Sequence, residues 1–224
     1  VPTYRQELED LMALASGDEK HDLSAYSTLE VLWVLYDRIL HYDPAAPQNE
    51  DRDRFIMSKG HGPLVLYAIL AHKGFFPTSE LERFLQWEGI LGGHPDRNRV
   101  PGVETSTGSL GHGFPMAIGV ALALQAKGID PRVYVLIGDG ESNEGTVWES
   151  ILLAGDLRLS NLTAILIDNR SSTRDLGDIA AKFSAFGWEA RVIDGRDEDA
   201  IERALFSPAV DRPTAVIAEV HNHA

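Results

Sequence analysis

Four short strand-like runs in the second half of the chain limit its fold most strongly. They are VYVLIG (133–138), LTAILIDN (162–169), EARVID (189–194) and TAVIAEV (214–220). Each is rich in strand-forming residues, and EGTVWESILLAGDL, AAKFSAFG and DEDAIERALF lie between them with helical spacing. Strand–helix alternation of this kind predicts an α/β fold, with a parallel β-sheet covered by helices on both faces. In such sheets ligands bind beyond the carboxyl ends of the strands, at a topological switch point.

The first half reads as helical. Tyr4, Leu8, Leu11 and Ala15 recur at helical spacing over residues 4–15, and STLEVLWVLYDRIL follows with Ser27 and Thr28 as N-cap candidates. Pro44 and Pro47 mark a loop, after which LVLYAILAHKG predicts a helix stopping at Gly74. FPTSELERFLQWEG predicts another, capped by Thr78 or Ser79 and ending near Gly89. The glycine-rich segment 89–113 is a long loop with scattered apolar residues, which favours an ordered, functional loop. PMAIGVALALQAKG is a helix of small residues suited to close packing on a sheet. No repeat and no clear linker divides the chain, so residues 1–224 read as a single domain.

Charge and cysteine content narrow the chemistry. A formal charge of −14 argues against nucleic acid or an anionic membrane as partner. It also means that a phosphorylated ligand needs a divalent cation to neutralise it locally. The absence of cysteine excludes thiolate catalysis, disulfides and cysteine-ligated zinc or iron–sulfur sites. VPTYRQELEDLM lacks the features of a signal peptide and no apolar run reaches membrane-spanning length, so a cytoplasmic setting is expected.

Attention then falls on two neighbouring strand ends. The run VYVLI ends in Gly138-Asp139-Gly140, and LTAILI ends in Asp168-Asn169. If the strands pair in parallel, Asp139 and Asn169 can point hard oxygen atoms at one centre, with the backbone carbonyl of Ser171 as a third. Magnesium suits such a set, with phosphate and water completing the shell. Gly138 and Gly140 allow close backbone approach, and the Gly140 amide is a candidate phosphate donor. The bland alternative is a capping Asp139 and a turn Asn169, an even match for either position alone. Together, flanked by glycine, they favour a diphosphate–metal site.

Asp139 and Asn169 at this spacing resemble the thiamine-diphosphate motif. DRFIMSKGHG, GGHPDRNRVPGVETSTGSLGHG and GDGESNEGTVWE, in that order, resemble the N-terminal, diphosphate-binding half of transketolases, from about residue 5 to residue 219. The resemblance implies thiamine diphosphate as cofactor, with Mg²⁺ or Ca²⁺ on Asp139, Asn169 and the main-chain carbonyl of Ser171. It implies that Gly140 touches the diphosphate and that Gly108 and Leu110 meet the aminopyrimidine. His61 and His94 would face the thiazolium and the sugar hydroxyls, and move protons during ketol transfer. Glu144 matches an acidic position where protomers communicate across an interface, whereas Glu141 and Glu149 read as favourable charges near a helix start. His21, His41, His72 and His112 read as surface or structural, and His221 and His223 as a frayed tail. GSLGHG is not a Rossmann fingerprint, because no predicted strand precedes it.

Transketolases are longer chains with three domains, and the resemblance covers the first. It therefore implies a partner subunit carrying the pyrimidine-binding domain and its activating glutamate, assembled as a heterotetramer; a piece of a longer chain is the competing explanation. Two departures concern the substrate. Where the family has SGHPG this chain has SGDEKHDLS, so that Asp18, or His21 a turn away, stands at the substrate-side histidine. The segment after Asn169 is also shorter than usual. Both favour a specialised two-carbon transfer over the housekeeping reaction. The alternatives are a thiamine-diphosphate subunit using a 2-oxo acid donor, against which GGHP and PGVE speak, and a non-catalytic scaffold paralogue, against which the intact Asp139, Asn169, His61 and His94 speak.

Overall fold

The computed structural model describes residues 3–15 and 25–220. Five strands form one all-parallel sheet: β1 (Arg54–Met57), β2 (Val133–Gly138), β3 (Leu162–Asp168), β4 (Glu189–Asp194) and β5 (Thr214–Glu219). Their order is β1-β2-β3-β5-β4. Among the described residues seven α-helices accompany them: α1 (Tyr4–Met12), α2 (Leu29–Val34), α3 (Leu64–His72), α4 (Gly113–Lys127), α5 (Gly145–Asp156), α6 (Ile179–Ala185) and α7 (Glu198–Phe206).

Period-2 alternation along the strands sorts the core into two halves. Tyr134, Leu136, Ile165, Ile167 and Val216 face the layer built from α1, α2, α3 and α7. Val133, Val135, Ile137, Leu162 and Ala164 face the layer built from α4, α5 and α6. Both faces of β1, β2, β3 and β5 are thus buried, which is why β2, β3 and β5 read as near-continuous apolar runs, whereas edge strand β4 stays partly exposed. Small residues let α4 lie close to the sheet, through Ala117, Ile118 and Ala121.

The helical reading of the first half needs two corrections. The segment RFIM is a strand, β1, paired in register from Arg54↔Val133 to Met57↔Leu136. Four residues carry too little periodicity to announce a strand, and the pairing comes from a partner almost eighty positions away. The stretch read as a helix from Phe76 to Gly89 holds only a 3₁₀ segment, Thr78–Arg83. Phe84 is extended and Leu85 takes φ 60°, so the helix cannot continue, and Leu85 N–H instead closes a loop on the Leu91 carbonyl (2.9 Å). Trp87 projects from this loop, 95% exposed. After α2 the chain widens into a π-turn at Leu35–Ile39, and the Thr28 hydroxyl bonds back to the Ala25 carbonyl instead of capping the helix. Among the described residues no helix is long and apolar enough to cross a membrane.

Candidate active site

The parallel register of β2 and β3 brings their polar ends together. Gly138 lies opposite Ile167, and the next amide, Asp139 N–H, donates to the Ile167 carbonyl (3.0 Å). Asp139 is 2% exposed. Its Oδ1 accepts from Gly140 N–H and from the Ser171 hydroxyl, both at 2.6 Å, and its Oδ2 from Ser172 N–H at 3.1 Å. Arg170 takes φ 58°, which folds the chain after β3 back over Asp139. Asn169 Oδ1 accepts from Ser171 N–H (3.2 Å), and the Ser171 carbonyl stands 3.9 Å from where a Cβ on Gly140 would lie. Asp139, Gly140, Asn169 and Ser171 therefore form one cluster beyond the carboxyl ends of β2 and β3. The strand order inverts elsewhere, at β5 and β4, so the cluster follows the carboxyl-edge rule but not the switch point.

The Gly140 amide, a candidate phosphate donor in the sequence, here donates to the carboxylate of its neighbour Asp139. A 3₁₀ turn, Glu141–Asn143, separates it from α5. The cluster offers one carboxylate, one amide oxygen and one peptide carbonyl. Among the described residues no group of three or more His, Cys, Asp or Glu could hold a metal ion. A cation here would have a single acidic ligand beside two neutral oxygens, and would complete its shell from outside the chain. That chemistry fits a hard divalent cation arriving with a diphosphate.

The histidines form a second group. His61 follows β1, and its Nδ1 lies 2.7 Å from the Lys59 carbonyl. The rings of His61 and His94 meet edge to face, centroids 5.0 Å apart. Gly108 is packed between the two loops at φ 145°. A Cβ there would lie 2.8 Å from His94 Cδ2, and one on Gly60 (φ 61°) would lie 2.6 Å from Gly108 N. Only glycine satisfies both backbone angle and space at these two positions. The Thr107 hydroxyl ties this loop to the Met57 carbonyl at the end of β1 (2.7 Å). Exposed His94 opens on a cleft of about 350 Å³ lined by Ile90, Asp96, Arg99 and Thr107. Leu110, half-buried, completes the loop, and His112 is exposed.

Glu141 is the residue that sequence reasoning missed. Far from decorating a helix start, it is 2% exposed. Its Oε1 accepts from the Ser58 hydroxyl (2.6 Å) and Gly111 N–H (2.9 Å), and its Oε2 from Gly138 N–H (3.3 Å). Burial pushes its carboxyl up, while these hydrogen bonds and nearby Lys59 pull it down. It sits in a 3₁₀ turn shortly after a buried strand, and nothing local in the sequence marks it. Glu149 is exposed, as expected. Glu144 is exposed beside the TGSLG loop, its Cβ 2.9 Å from where a Gly111 side chain would begin. The helices starting at that point, α4 and α5, leave Met116, Leu122, Leu152 and Leu153 exposed. Asp18, His21, His221 and His223 lie outside the described residues.

Comparison with known proteins bears on this edge as a whole. The family described as transketolase, thiamine diphosphate binding domain, matches residues 11–220. Ferredoxin fas2 of Rhodococcoides fascians is 47% identical over 95% of this chain and 71% of its own. A 6-deoxy-6-sulfo-D-fructose transketolase subunit of a Clostridium strain is 40% identical over 88% of this chain and 74% of its own. An apulose-4-phosphate transketolase subunit of Actinobacillus succinogenes is 38% identical, over 91% of this chain and 76% of its own. A crystal structure of Pichia stipitis transketolase in complex with sedoheptulose-7-phosphate superposes with a TM-score of 0.82 at 27% identity. It matches 96% of this chain but only 36% of the yeast one, so the chain spans about a third of that longer transketolase.

Proposed function

The chain belongs to the transketolase family, matching its thiamine diphosphate binding domain, and from that premise we propose that it is the diphosphate-binding subunit of a two-component transketolase. In this reading residues 1–224 act as one unit, and with a C-terminal partner they transfer a two-carbon ketol unit from a ketose to an aldehyde acceptor. When bound, thiamine diphosphate supplies a carbon nucleophile that stores the electron pair of the broken C–C bond. Everything else falls to protein groups.

Asp139, Asn169 and the Ser171 carbonyl would hold Mg²⁺ or Ca²⁺, and Gly140 would lie against the diphosphate. Gly108 and Leu110 would border the aminopyrimidine. His61 and His94 would serve the thiazolium end and the sugar hydroxyls. A carbonyl can only accept, so the bond to Lys59 places the His61 proton on Nδ1 and leaves Nε2 as the basic nitrogen of the neutral ring. That is the form needed to take a proton from a hydroxyl. The observation that carries the reading is the buried Asp139, with the Asn169–Ser172 turn folded onto it in a chain of this family.

Partner assembly draws on different support. Two relatives are named as transketolase subunits. Exposed apolar residues on α4 and α5 continue from Glu144 and the TGSLG loop, so a partner seated there would reach the cofactor's ring end. Glu144 would then lie at the interface, in a heterotetramer set in the cytoplasm. The two subunit relatives are named for different sugars, a sulfosugar and a sugar phosphate, which favours a ketose donor and a specialised reaction over a 2-oxo acid. With no cysteine in the chain, the word ferredoxin in the name of the Rhodococcoides fascians relative finds no cysteine-ligated cluster here.

Asp139→Ala in the assembled complex tests the core of the proposal. It is expected to weaken Mg²⁺–thiamine diphosphate binding at least about a hundredfold, because a charged ligand is removed, and to abolish ketol transfer. Unchanged activity would remove the metal site from the reading. A donor screen of ketose phosphates against pyruvate then separates ketol from acyl transfer.

A further inference from the structure

Glu141 combines high burial with bonds to two distant segments and to the end of its own preceding strand. Its carboxylate reaches Ser58, which opens the loop to His61, and Gly111, which closes the loop containing Gly108 and Leu110. Its longest bond, 3.3 Å, goes to Gly138 at the end of β2. A carboxylate buried this deeply pays a desolvation cost that an apolar filler would avoid. The Asp139 cluster needs no help from it, since Gly140, Ser171 and Ser172 hold Asp139 directly.

We infer that Glu141 is a positioning residue: it fixes the His61 and Gly108–Leu110 loops, which face the ring end of thiamine diphosphate, relative to the strand end that faces the diphosphate. This rests on the cofactor reading above. Its role is selective. The ring end loses its alignment without Glu141, whereas the metal–diphosphate cluster keeps its own bonds. The carboxylate acts as an acceptor, so an amide of the same shape can replace it at Ser58 and Gly111.

The test titrates two probes by calorimetry into the chain assembled with its partner subunit: Mg²⁺–thiamine diphosphate and Mg²⁺–pyrophosphate. Glu141→Ala is expected to weaken the first at least about tenfold and the second less than about threefold. Glu141→Gln, whose amide oxygen still accepts from Ser58 and Gly111, should return the first to within about threefold of the parent. Ser58→Ala removes one bond, should weaken the first about threefold or more, and decides the matter if Glu141→Ala does not fold. Equal weakening of both probes overturns the inference, as does a lowered unfolding midpoint with both affinities unchanged. Failure of the unsubstituted assembly to bind Mg²⁺–thiamine diphosphate overturns the cofactor reading itself, a result visible before any variant is made.

Discussion

His61 follows β1 and Asp139 follows its neighbour β2, and each is held by nearby backbone. The Lys59 carbonyl fixes the His61 tautomer, and the turn after β3 fixes Asp139. At saturating thiamine diphosphate, His61→Ala in the assembled enzyme is expected to lower kcat about a hundredfold or more, the usual worth of a positioned proton-transfer group. A kcat within twofold of the parent would take His61 away from the reacting atoms. That Asp139, Gly140 and Asn169 meet at neighbouring strand ends was legible in the sequence, because a polar, glycine-flanked strand end is a local signal. Glu141 was not, because its partners Ser58 and Gly111 stand 83 and 30 positions away. A buried staple and a solvated helix start use the same residue type, and only the fold separates them.

Glycine separates the helices into places where contact is obligatory and places where it is not. In α5, a Cβ on Gly155 would run into the Phe186 carbonyl. In α4, a Cβ on Gly119 meets nothing within 4 Å. Gly155→Ala is therefore expected to destabilise the chain by about 2 kcal/mol or more through overpacking. Gly119→Ala should stabilise it by about 0.5–1 kcal/mol through the backbone entropy of helical glycine. Thermal unfolding of the two variants should shift in opposite directions; a common direction would contradict the packing described. Most helices and four of the five strands follow from periodicity. The exceptions, β1 and the 3₁₀ segment after Pro77, depend on contacts that periodicity does not carry: pairing with Val133–Leu136, and the closure of Leu85 on Leu91.

At the scale of the whole molecule, the candidate site gathers at the carboxyl edge of the sheet, while the α4–α5 layer presents apolar side chains left exposed among the described residues. Replacing Leu152 and Leu153 with serine should leave the isolated chain folded, since both are already about half exposed. It should weaken association with the partner at least about tenfold, as expected for apolar anchors inside an interface. Sedimentation of the mixed subunits reads this directly, and an unaltered association constant would move the interface elsewhere. The α/β class and the covered parallel sheet were legible from the alternation of strands and helices. The strand order was not, because it is set by which long-range pairings coexist. Trp87 gives this surface an optical handle. Trp33 and Trp188 are buried and Trp148 is half-covered, whereas Trp87 stands in water on the loop flanking the His94 cleft. A soluble quencher should therefore silence its emission first. Anything that settles over that rim will shield it, so the chain carries its own fluorescent gauge of occupancy, readable without a label.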